Sequence, residues 1–145
     1  MANSLFYQEL LTDHDVRKAF TIIKQLRPHL NECTYLSLVQ EARSLEGYKM
    51  VALYDKDVMV SVVGFVPRVT LYYGRFIFVC DLVTDSVQRS KGYGGKLLAF
   101  VHDWAKEQGY SSVSLTSGLQ RTDAHRFYEE KMGYNKLSYA FKKEI

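Results

Sequence analysis

Prolines, cysteines and long apolar runs are all scarce in this sequence. Its 145 residues include only two prolines and two cysteines. No segment reaches the roughly 18 uncharged apolar residues of a membrane span. The first residues, MANSLFYQELL, lack a basic start followed by an apolar run, which excludes a typical secretory signal. We therefore expect one soluble, cytoplasmic domain that spans residues 1–145 and has no membrane partner.

The two cysteines and the charged residues exclude further classes of protein. Cys33 and Cys80 form no CxxC pair and have no Cys/His partners at the spacing of a zinc site. Because Cys80 lies in the apolar segment FVCDLV, we interpret both as buried thiols and expect no metal. The formal net charge is +3, and basic residues alternate with acidic ones. A nucleic-acid partner would need a basic stripe, so we expect none.

Apolar spacing in the first half of the chain predicts helices followed by a hairpin. A short strand at residues 5–8 precedes a helix that Thr12 can cap and Pro28 ends. A second helix ends before Gly47, a residue suited to the left-handed conformation that follows many helices. KMVALY and VMVSVVGFV then form a hairpin, and the continuously apolar second strand must be covered on both faces.

The second half predicts a parallel crossover. RFIFVCDLV is a third apolar strand, and a helix with an apolar face runs from the following loop to Gly109. A strand at residues 113–115 and a helix from about Asp123 to Met132 come next. A last alternating strand would carry Leu137, Tyr139 and Phe141. The strand, helix and strand in the middle of this order form a right-handed crossover between parallel strands of a mixed sheet.

The segment QRSKGYGGK, residues 88–96, concentrates three glycines and three cations between a strand and a helix. A helix N-terminus offers unpaired N–H groups and partial positive charge, so a glycine-rich loop leading into it can wrap around a phosphate. A solvated glycine-rich turn is the structural alternative. The nucleotide P-loop does not fit, because Ser90 replaces its first glycine and Leu97 its Ser or Thr. The dinucleotide fingerprint also fails at Leu97.

Two motifs do fit a known pattern. Arg89 to Gly94 read R-x-x-G-x-G and follow directly on an apolar strand. This resembles the acetyl-CoA signature of the GNAT superfamily of N-acetyltransferases. AHRFYEEKMGY, residues 124–134, resembles the second signature of that family. The two occur in the family's order, and the likeness covers nearly the whole chain.

The resemblance implies both a fold and a reaction. The fold is an α/β (α+β) arrangement with a mixed, mostly antiparallel central sheet, a parallel splayed strand pair and flanking helices. The reaction is direct transfer of the acetyl group of acetyl-CoA to a primary amine of a small molecule or peptide. Such transfer needs a neutral amine, stabilisation of the oxyanion and a proton for the departing thiolate. The alternative is a non-catalytic coenzyme A-binding sensor or interaction module with the same fold.

The resemblance also implies a coenzyme A site built largely from backbone. Main-chain groups of Leu82 and Val83 would pair with the pantetheine arm. Backbone amides of the loop would hold the pyrophosphate. The loop residues are Arg89, Ser90, Lys91, Gly92, Tyr93, Gly94, Gly95 and Lys96.

Two residues are candidates for catalysis. Tyr128 stands where the family often has the tyrosine that protonates the thiolate, although it could instead pack with Phe127 in the core of a short helix. Asp81 is a carboxylate in an apolar strand, where a charge is unexpected. It could be the base for the incoming ammonium, a satisfied structural carboxylate, or a group that orients substrate. The sequence leaves these alternatives open.

The family pattern leaves the acceptor open. Arg121 stands where many relatives have asparagine, so contacts near the thioester can differ, and we expect His125 to be structural or exposed. The segments that shape the acceptor site in this family carry aromatic residues and two charges, which would suit an amine. These residues are Tyr35, Tyr72, Tyr73, Tyr139, Arg27 and Glu32. Eleven tyrosines also supply core and the surface of a homodimer.

Overall fold

The structure, a computed structural model, describes residues 4–145. These residues form two compact units, one ending at Ser114 and the other running from Leu115 to Ile145. The single domain expected from chain length stays a prediction. Among the described residues, no helix combines the length and the apolar character that crossing a bilayer requires.

Among its described residues, the first unit contains four helices and five strands, the last of which ends at Leu115. A single 3₁₀ turn, Ser86–Gln88, follows the fourth strand. The elements in chain order are β1 (Leu5–Glu9), α1 (Asp13–Lys18), α2 (Phe20–Leu26), α3 (Glu32–Glu46), β2 (Lys49–Asp55), β3 (Val58–Thr70), β4 (Gly74–Thr84), α4 (Tyr93–Glu107) and β5 (Ser112–Leu115).

The strands form one sheet in the order β1-β2-β3-β4-β5. The first three pairings are antiparallel. The last pairing is parallel, because α4 carries the chain back to the end of the sheet where β4 began. Ser111, just before β5, donates from its backbone N–H to the carbonyl of Arg75 at 3.0 Å. The predicted mixed, mostly antiparallel sheet with flanking helices is confirmed.

The helix ends follow local chemistry. Thr12 caps α1, since its hydroxyl accepts a hydrogen bond from the Asp15 N–H at 3.1 Å. Gly47 ends α3 with φ of +70°, the left-handed conformation that glycine adopts without steric cost. The single helix predicted before Pro28 is instead two short helices, because a tight turn at Ala19 interrupts it. The Ala19 N–H bonds to Val16, three residues back, at 3.2 Å.

Apolar residues cover the sheet on both faces, as the continuously apolar strands require. Helices α1 to α3 close one face over a cluster that includes Met50, Ala52 and Val62. On α4 the buried residues are Tyr93, Leu97, Leu98, Val101 and Ala105. Trp104 is only half-buried, and its ring meets the edge of Phe65 at 5.2 Å. Helices α2 and α4 therefore pack against β4 and hold the strand in place.

The second unit is less regular. Helix α5 (Thr122–Arg126) continues as a π-helical turn, Phe127–Lys131, close to the predicted bounds. Residues 133–145 carry no helix or strand, so the predicted last strand is wrong. Its alternating side chains, Leu137, Tyr139 and Phe141, are 70%, 75% and 94% exposed. Alternation favours a strand only where a neighbouring strand completes the ladder, and these residues form none.

The two cysteines differ in their surroundings. Cys33 is exposed on the first turn of α3, so the interpretation of this residue as a buried thiol is wrong. Its neighbours along the chain are polar, and the apolar context applied only to Cys80. Burial raises the pKa of Cys80 to about 12, and the nearby Asp81 charge adds to the rise. That thiol therefore stays protonated and packs as a small apolar group.

Candidate active site

The loop between β4 and α4 has the backbone shape that its glycines predict. Gly92, the residue before α4, has φ of +81°, and a Cβ placed there would meet nothing within 4 Å. Conformation therefore requires glycine here, and packing does not. Ser90 also has a positive φ, +67°. A Cβ on Gly94 would lie 3.4 Å from the Thr84 hydroxyl oxygen, so a small residue lets the helix start approach the end of β4.

The first turn of α4 offers backbone donors. Its hydrogen-bond ladder begins with the bond from the Lys96 N–H to the Gly92 carbonyl at 3.1 Å. The N–H groups of Tyr93, Gly94 and Gly95 come before this ladder. Donors in that position, at the positive end of a 15-residue helix, can bind an anion. The arrangement can therefore hold a phosphate or pyrophosphate group.

Side chains from elsewhere in the first unit hold this loop. The Tyr93 hydroxyl donates to Asp55 Oδ2 at 2.5 Å, and the Ser4 hydroxyl donates to Asp55 Oδ1 at the same distance. The bonds from Ser4 and then Tyr93 lower the pKa of Asp55, and the bond to Asp55 raises the pKa of Tyr93. The phenol is thus a protonated donor and Asp55 a charged acceptor at neutral pH. No local sequence signal pointed to this tether.

The beginning of the loop is tied to α2. Gln25 Oε1 accepts from the Ser86 N–H at 2.8 Å, and Gln25 Nε2 donates to Asp85 Oδ1 at 3.2 Å. The loop's three cations, Arg89, Lys91 and Lys96, are exposed. Lys91 Nζ lies 2.9 Å from Gln88 Oε1. The backbone is thus fixed while the cations remain accessible to an anion.

The main chain at the end of β4 points in two directions. The Val83 carbonyl accepts a hydrogen bond from the buried Ser61 hydroxyl at 2.9 Å, so it faces β3. Peptide groups of successive residues point to opposite sides of a strand. Those of Leu82 therefore face away from β3. Of the two residues that the resemblance assigns to the pantetheine arm, Leu82 has the main-chain groups free of β3.

Asp81 has two hydrogen-bonding partners. Arg27 Nε lies 3.0 Å from Asp81 Oδ1, and the Tyr48 hydroxyl donates to Oδ2 at 2.8 Å. Arg27 also donates from Nη2 to the Cys80 carbonyl at 2.9 Å. Burial and then the Asp81 charge raise the pKa of Tyr48 well above its usual value, so its phenol stays protonated. We call Arg27, Tyr48 and Asp81 the Asp81 cluster.

Gly64 makes room for the Asp81 cluster. It pairs with Asp81 across β3 and β4, where the register shifts, and the next residue, Phe65, pairs with Val79. A Cβ on Gly64 would lie 1.8 Å from the Tyr48 hydroxyl oxygen. Only glycine leaves that space. The sequence analysis missed this contact, although a lone glycine inside an apolar strand is a signal for a bulge or a close approach.

Four of the residues predicted to shape the acceptor site have contacts of their own in the first unit. Tyr35 is a core residue whose hydroxyl donates to the Val16 carbonyl at 2.7 Å. Glu32 pairs with Arg17 at 2.8 Å on the surface. Tyr72 and Tyr73 pack edge to face at 4.5 Å in the turn after β3. Arg27 reaches β4, where its guanidinium contacts Asp81.

Tyr128 is buried within the second unit, 9% exposed. Its ring packs near Phe127 at 5.3 Å and Tyr134 at 5.9 Å. Burial raises the pKa of Tyr128, while the charge and a hydrogen bond of Arg121 oppose the rise. The phenol is thus protonated at neutral pH, as an acid must be, and Arg121 is the charge that acts on it.

Two further expectations concern His125 and metals. His125 Nε2 lies 2.8 Å from the Gly118 carbonyl oxygen, so this residue ties α5 to the preceding loop, as a structural role requires. Within residues 4–145, no group of three or more His, Cys, Asp or Glu side chains is arranged to hold a metal ion.

Comparison with known proteins identifies the family. The sequence profile of the acetyltransferase (GNAT) family matches residues 13–134. The uncharacterised N-acetyltransferase YhdJ of Bacillus subtilis (strain 168) is 40% identical over 138 residues, which cover 95% of this chain and 97% of that protein. The chain therefore belongs to the GNAT acetyltransferase family. The prediction of an acetyl-CoA-dependent N-acetyltransferase is confirmed at the level of the family.

Solved structures show the same fold at low sequence identity. A transcriptional regulator from Bacillus halodurans C-125 matches with a TM-score of 0.84 and 21% identity, over 97% of this chain and 99% of that one. The aminoglycoside N-acetyltransferase AAC(6′)-Iy in complex with CoA matches with a TM-score of 0.85 and 13% identity, over 100% of this chain and 97% of that one. At such identities the likeness concerns the fold.

Proposed function

We propose that this protein transfers the acetyl group of acetyl-CoA directly to a primary amine of a small molecule or peptide, within a ternary complex. The observation that carries the proposal is the start of α4. There a left-handed Gly92, backbone N–H groups ahead of the helical ladder, and a side-chain tether produce a fixed anion site. Family membership supports acetyl-CoA as the co-substrate that supplies this anion.

The chain's residues would divide the work of binding. The pyrophosphate would be held by backbone amides between Arg89 and Gly94, with Gly95 and Lys96 at the helix start and the exposed cations adding charge. The pantetheine arm would pair with main-chain groups at Leu82 and Val83. The directions of these peptide groups favour Leu82, because the Val83 carbonyl already accepts from Ser61.

Tyr128 would act as the general acid. The departing thiolate needs a proton, and a buried phenol that is still protonated at neutral pH can donate it. The raised pKa of Tyr128, caused by burial, agrees with that role. The positive charge of Arg121 would lower the pKa of the phenol and so strengthen it as an acid. For Asp81, the two partners that its carboxylate already has favour a structural role over that of the base.

The acceptor is proposed only as a class. Polyamine-like amines, amino sugars and protein amines all meet the chemical requirement of a primary amine that can lose its proton. We further propose a cytoplasmic enzyme without a metal ion, a nucleic-acid partner or a membrane partner, and a homodimer through its tyrosine-rich surface. The second candidate function, a non-catalytic coenzyme A sensor or interaction module, would need the loop but not Tyr128.

Two measurements test the proposal. Acetyl-CoA should raise the melting temperature with the logarithm of its concentration, by an amount equivalent to about 2.7 kcal/mol at a hundredfold excess over its Kd, whereas NAD and ATP should act much less. Equal shifts from all three would remove the coenzyme A assignment. A screen of amine acceptors that follows release of free coenzyme A should then find a substrate. Binding without turnover on any amine class would favour the sensor.

A further inference from the structure

We infer that the Asp81 cluster is a positioning device, resting on the proposed function, that sets the β4 backbone at residues 80–82 where the pantetheine arm of acetyl-CoA binds. Arg27 and Tyr48 become positioning residues for acetyl transfer. Asp81 serves as their charged anchor and not as the base.

The irregular register of β4 makes such a device necessary. Gly64 pairs with Asp81 and Phe65 with Val79, which leaves Cys80 as the extra residue of a bulge. A bulged residue has no partner in the ladder. The Cys80 carbonyl is satisfied by Arg27 Nη2 at 2.9 Å instead. The Arg27 guanidinium thus replaces the missing backbone bond. It also donates from Nε to the carboxylate of the next residue, Asp81.

The two carboxylate oxygens of Asp81 are held from different directions. Arg27 reaches Oδ1 from just beyond α2, and Tyr48 reaches Oδ2 from just before β2. The Asp81 side chain is only 19% exposed. With its carboxylate fixed at both oxygens, the peptide between Asp81 and Leu82 has little freedom to rotate. Leu82 is the residue whose main-chain groups face away from β3.

The same contacts oppose a role as base. Both carboxylate oxygens of Asp81 already accept a hydrogen bond, one from Arg27 and one from Tyr48. The ionisable groups that face Asp81 are Arg27, Tyr35 and Tyr48 from neighbouring segments and Cys80 on its own strand. Raised pKa values keep Tyr35, Tyr48 and Cys80 neutral near pH 7. Arg27 is thus the charge that the anchor balances.

A binding experiment separates the arm from the nucleotide. Calorimetric titrations would compare acetyl-CoA with 3′-phospho-ADP, the nucleotide half of coenzyme A, for wild type, Arg27→Lys and Tyr48→Phe. Each variant should bind acetyl-CoA about three- to tenfold more weakly, the equivalent of about one hydrogen bond, and bind 3′-phospho-ADP as wild type does. Equal weakening of both ligands, or of neither, overturns the inference.

Two matched controls remove a similar contact away from β4. Arg17→Lys disturbs the ion pair with Glu32, and Arg43→Lys disturbs the bonds from the Arg43 guanidinium to the Leu10 and Leu11 carbonyls. Both should leave the ratio of the two affinities unchanged. A changed ratio in these controls would overturn the inference, because a general loss of stability would then be enough to weaken acetyl-CoA binding selectively. A wild type that binds neither ligand refutes the proposed function itself, and the inference with it.

The pH profile distinguishes an anchor from a base in a second, independent way. For an anchor, Asp81→Asn should lower kcat/KM by the same factor at every pH, and Tyr48→Phe should show the same flat ratio. For a base, the loss in Asp81→Asn should be largest at low pH and shrink as the amine loses its own proton. Recovery of the Asp81→Asn rate at high pH, with Tyr48→Phe like wild type, overturns the inference.

Discussion

The Tyr93 hydroxyl lies 2.5 Å from Asp55 Oδ2 and joins the first turn of α4 to the end of β2. Tyr93 belongs to the glycine-rich loop, whose amides are the proposed pyrophosphate site. The hydrogen bond of its phenol is therefore a tether that holds these amides in place before any ligand binds. A loop ordered in advance loses less conformational freedom on binding.

Removing the hydrogen bond between Tyr93 and Asp55 should weaken acetyl-CoA binding more than it lowers the stability of the fold. Tyr93→Phe keeps the ring, which is buried, and deletes only the bond to Asp55. We expect acetyl-CoA affinity to fall about three- to tenfold, the equivalent of about one hydrogen bond. Titration calorimetry at neutral pH measures the change. Asp55→Asn should act alike, and the double variant should add little beyond either single change. Full additivity would show that the two residues act separately.

Substitutions at Gly92 should follow backbone conformation and not size. A Cβ there meets nothing within 4 Å, but φ is +81°. Gly92→Ala should therefore destabilise the loop by roughly 1–2 kcal/mol, Gly92→Asn by less because asparagine tolerates the left-handed region, and Gly92→Val by most. The stabilisation by acetyl-CoA should be reduced least in Gly92→Asn, more in Gly92→Ala and most in Gly92→Val, while all three proteins remain folded. An alanine variant that binds like wild type would mean that the loop is only a turn.

Gly64→Ala should be destabilising because of one side chain. The new Cβ would lie 1.8 Å from the Tyr48 hydroxyl oxygen and 2.5 Å from the ring carbon that bears it. Displacing Tyr48 costs packing and its bond to Asp81, together on the order of 2–4 kcal/mol in urea unfolding. In a Tyr48→Val background the same substitution should cost much less. An unchanged cost in that background would place the strain elsewhere.

Much of the fold follows from local patterns. Helical spacing located α3 and α4, the cap at Thr12 marked the start of α1, and Gly47 marked the end of α3. The apolar strands were found because each is buried on both faces. The glycine-rich loop was predictable for a different reason. Its glycines lie between a strand and a helix, where a left-handed residue requires glycine.

The contacts that organise the candidate site were not predictable in this way. Arg27 and Asp81 are 54 residues apart in sequence, and Tyr48 and Asp81 are 33 apart. They meet only because α2 packs against β4 and because β3 pairs with both β2 and β4. The predicted C-terminal strand was wrong for a related reason. Alternating apolar residues form a strand only beside a neighbouring strand, which a local pattern does not reveal.

The last prediction tests Tyr128 and the charge beside it. If the hydroxyl protonates the thiolate, Tyr128→Phe should lower kcat by roughly 10- to 10³-fold, while acetyl-CoA affinity and melting temperature hardly move. A residue that only packs should lose little stability and no activity. Kinetics with an acceptor for which chemistry limits the rate will measure the difference. Tyr134→Phe, which also alters a tyrosine of the second unit, is the matched control.

The pH dependence of the rate connects Tyr128 to Arg121. An acid works only while protonated, so activity should fall as pH rises through the pKa of Tyr128, which burial raises and Arg121 lowers. Arg121→Gln removes the lowering charge, and the alkaline limb of the kcat profile should therefore move to higher pH. Tyr128→Phe should lose that limb altogether. A limb that stays in place in both variants would belong to another group, and Tyr128 would then be a core residue whose hydroxyl takes no part in the chemistry.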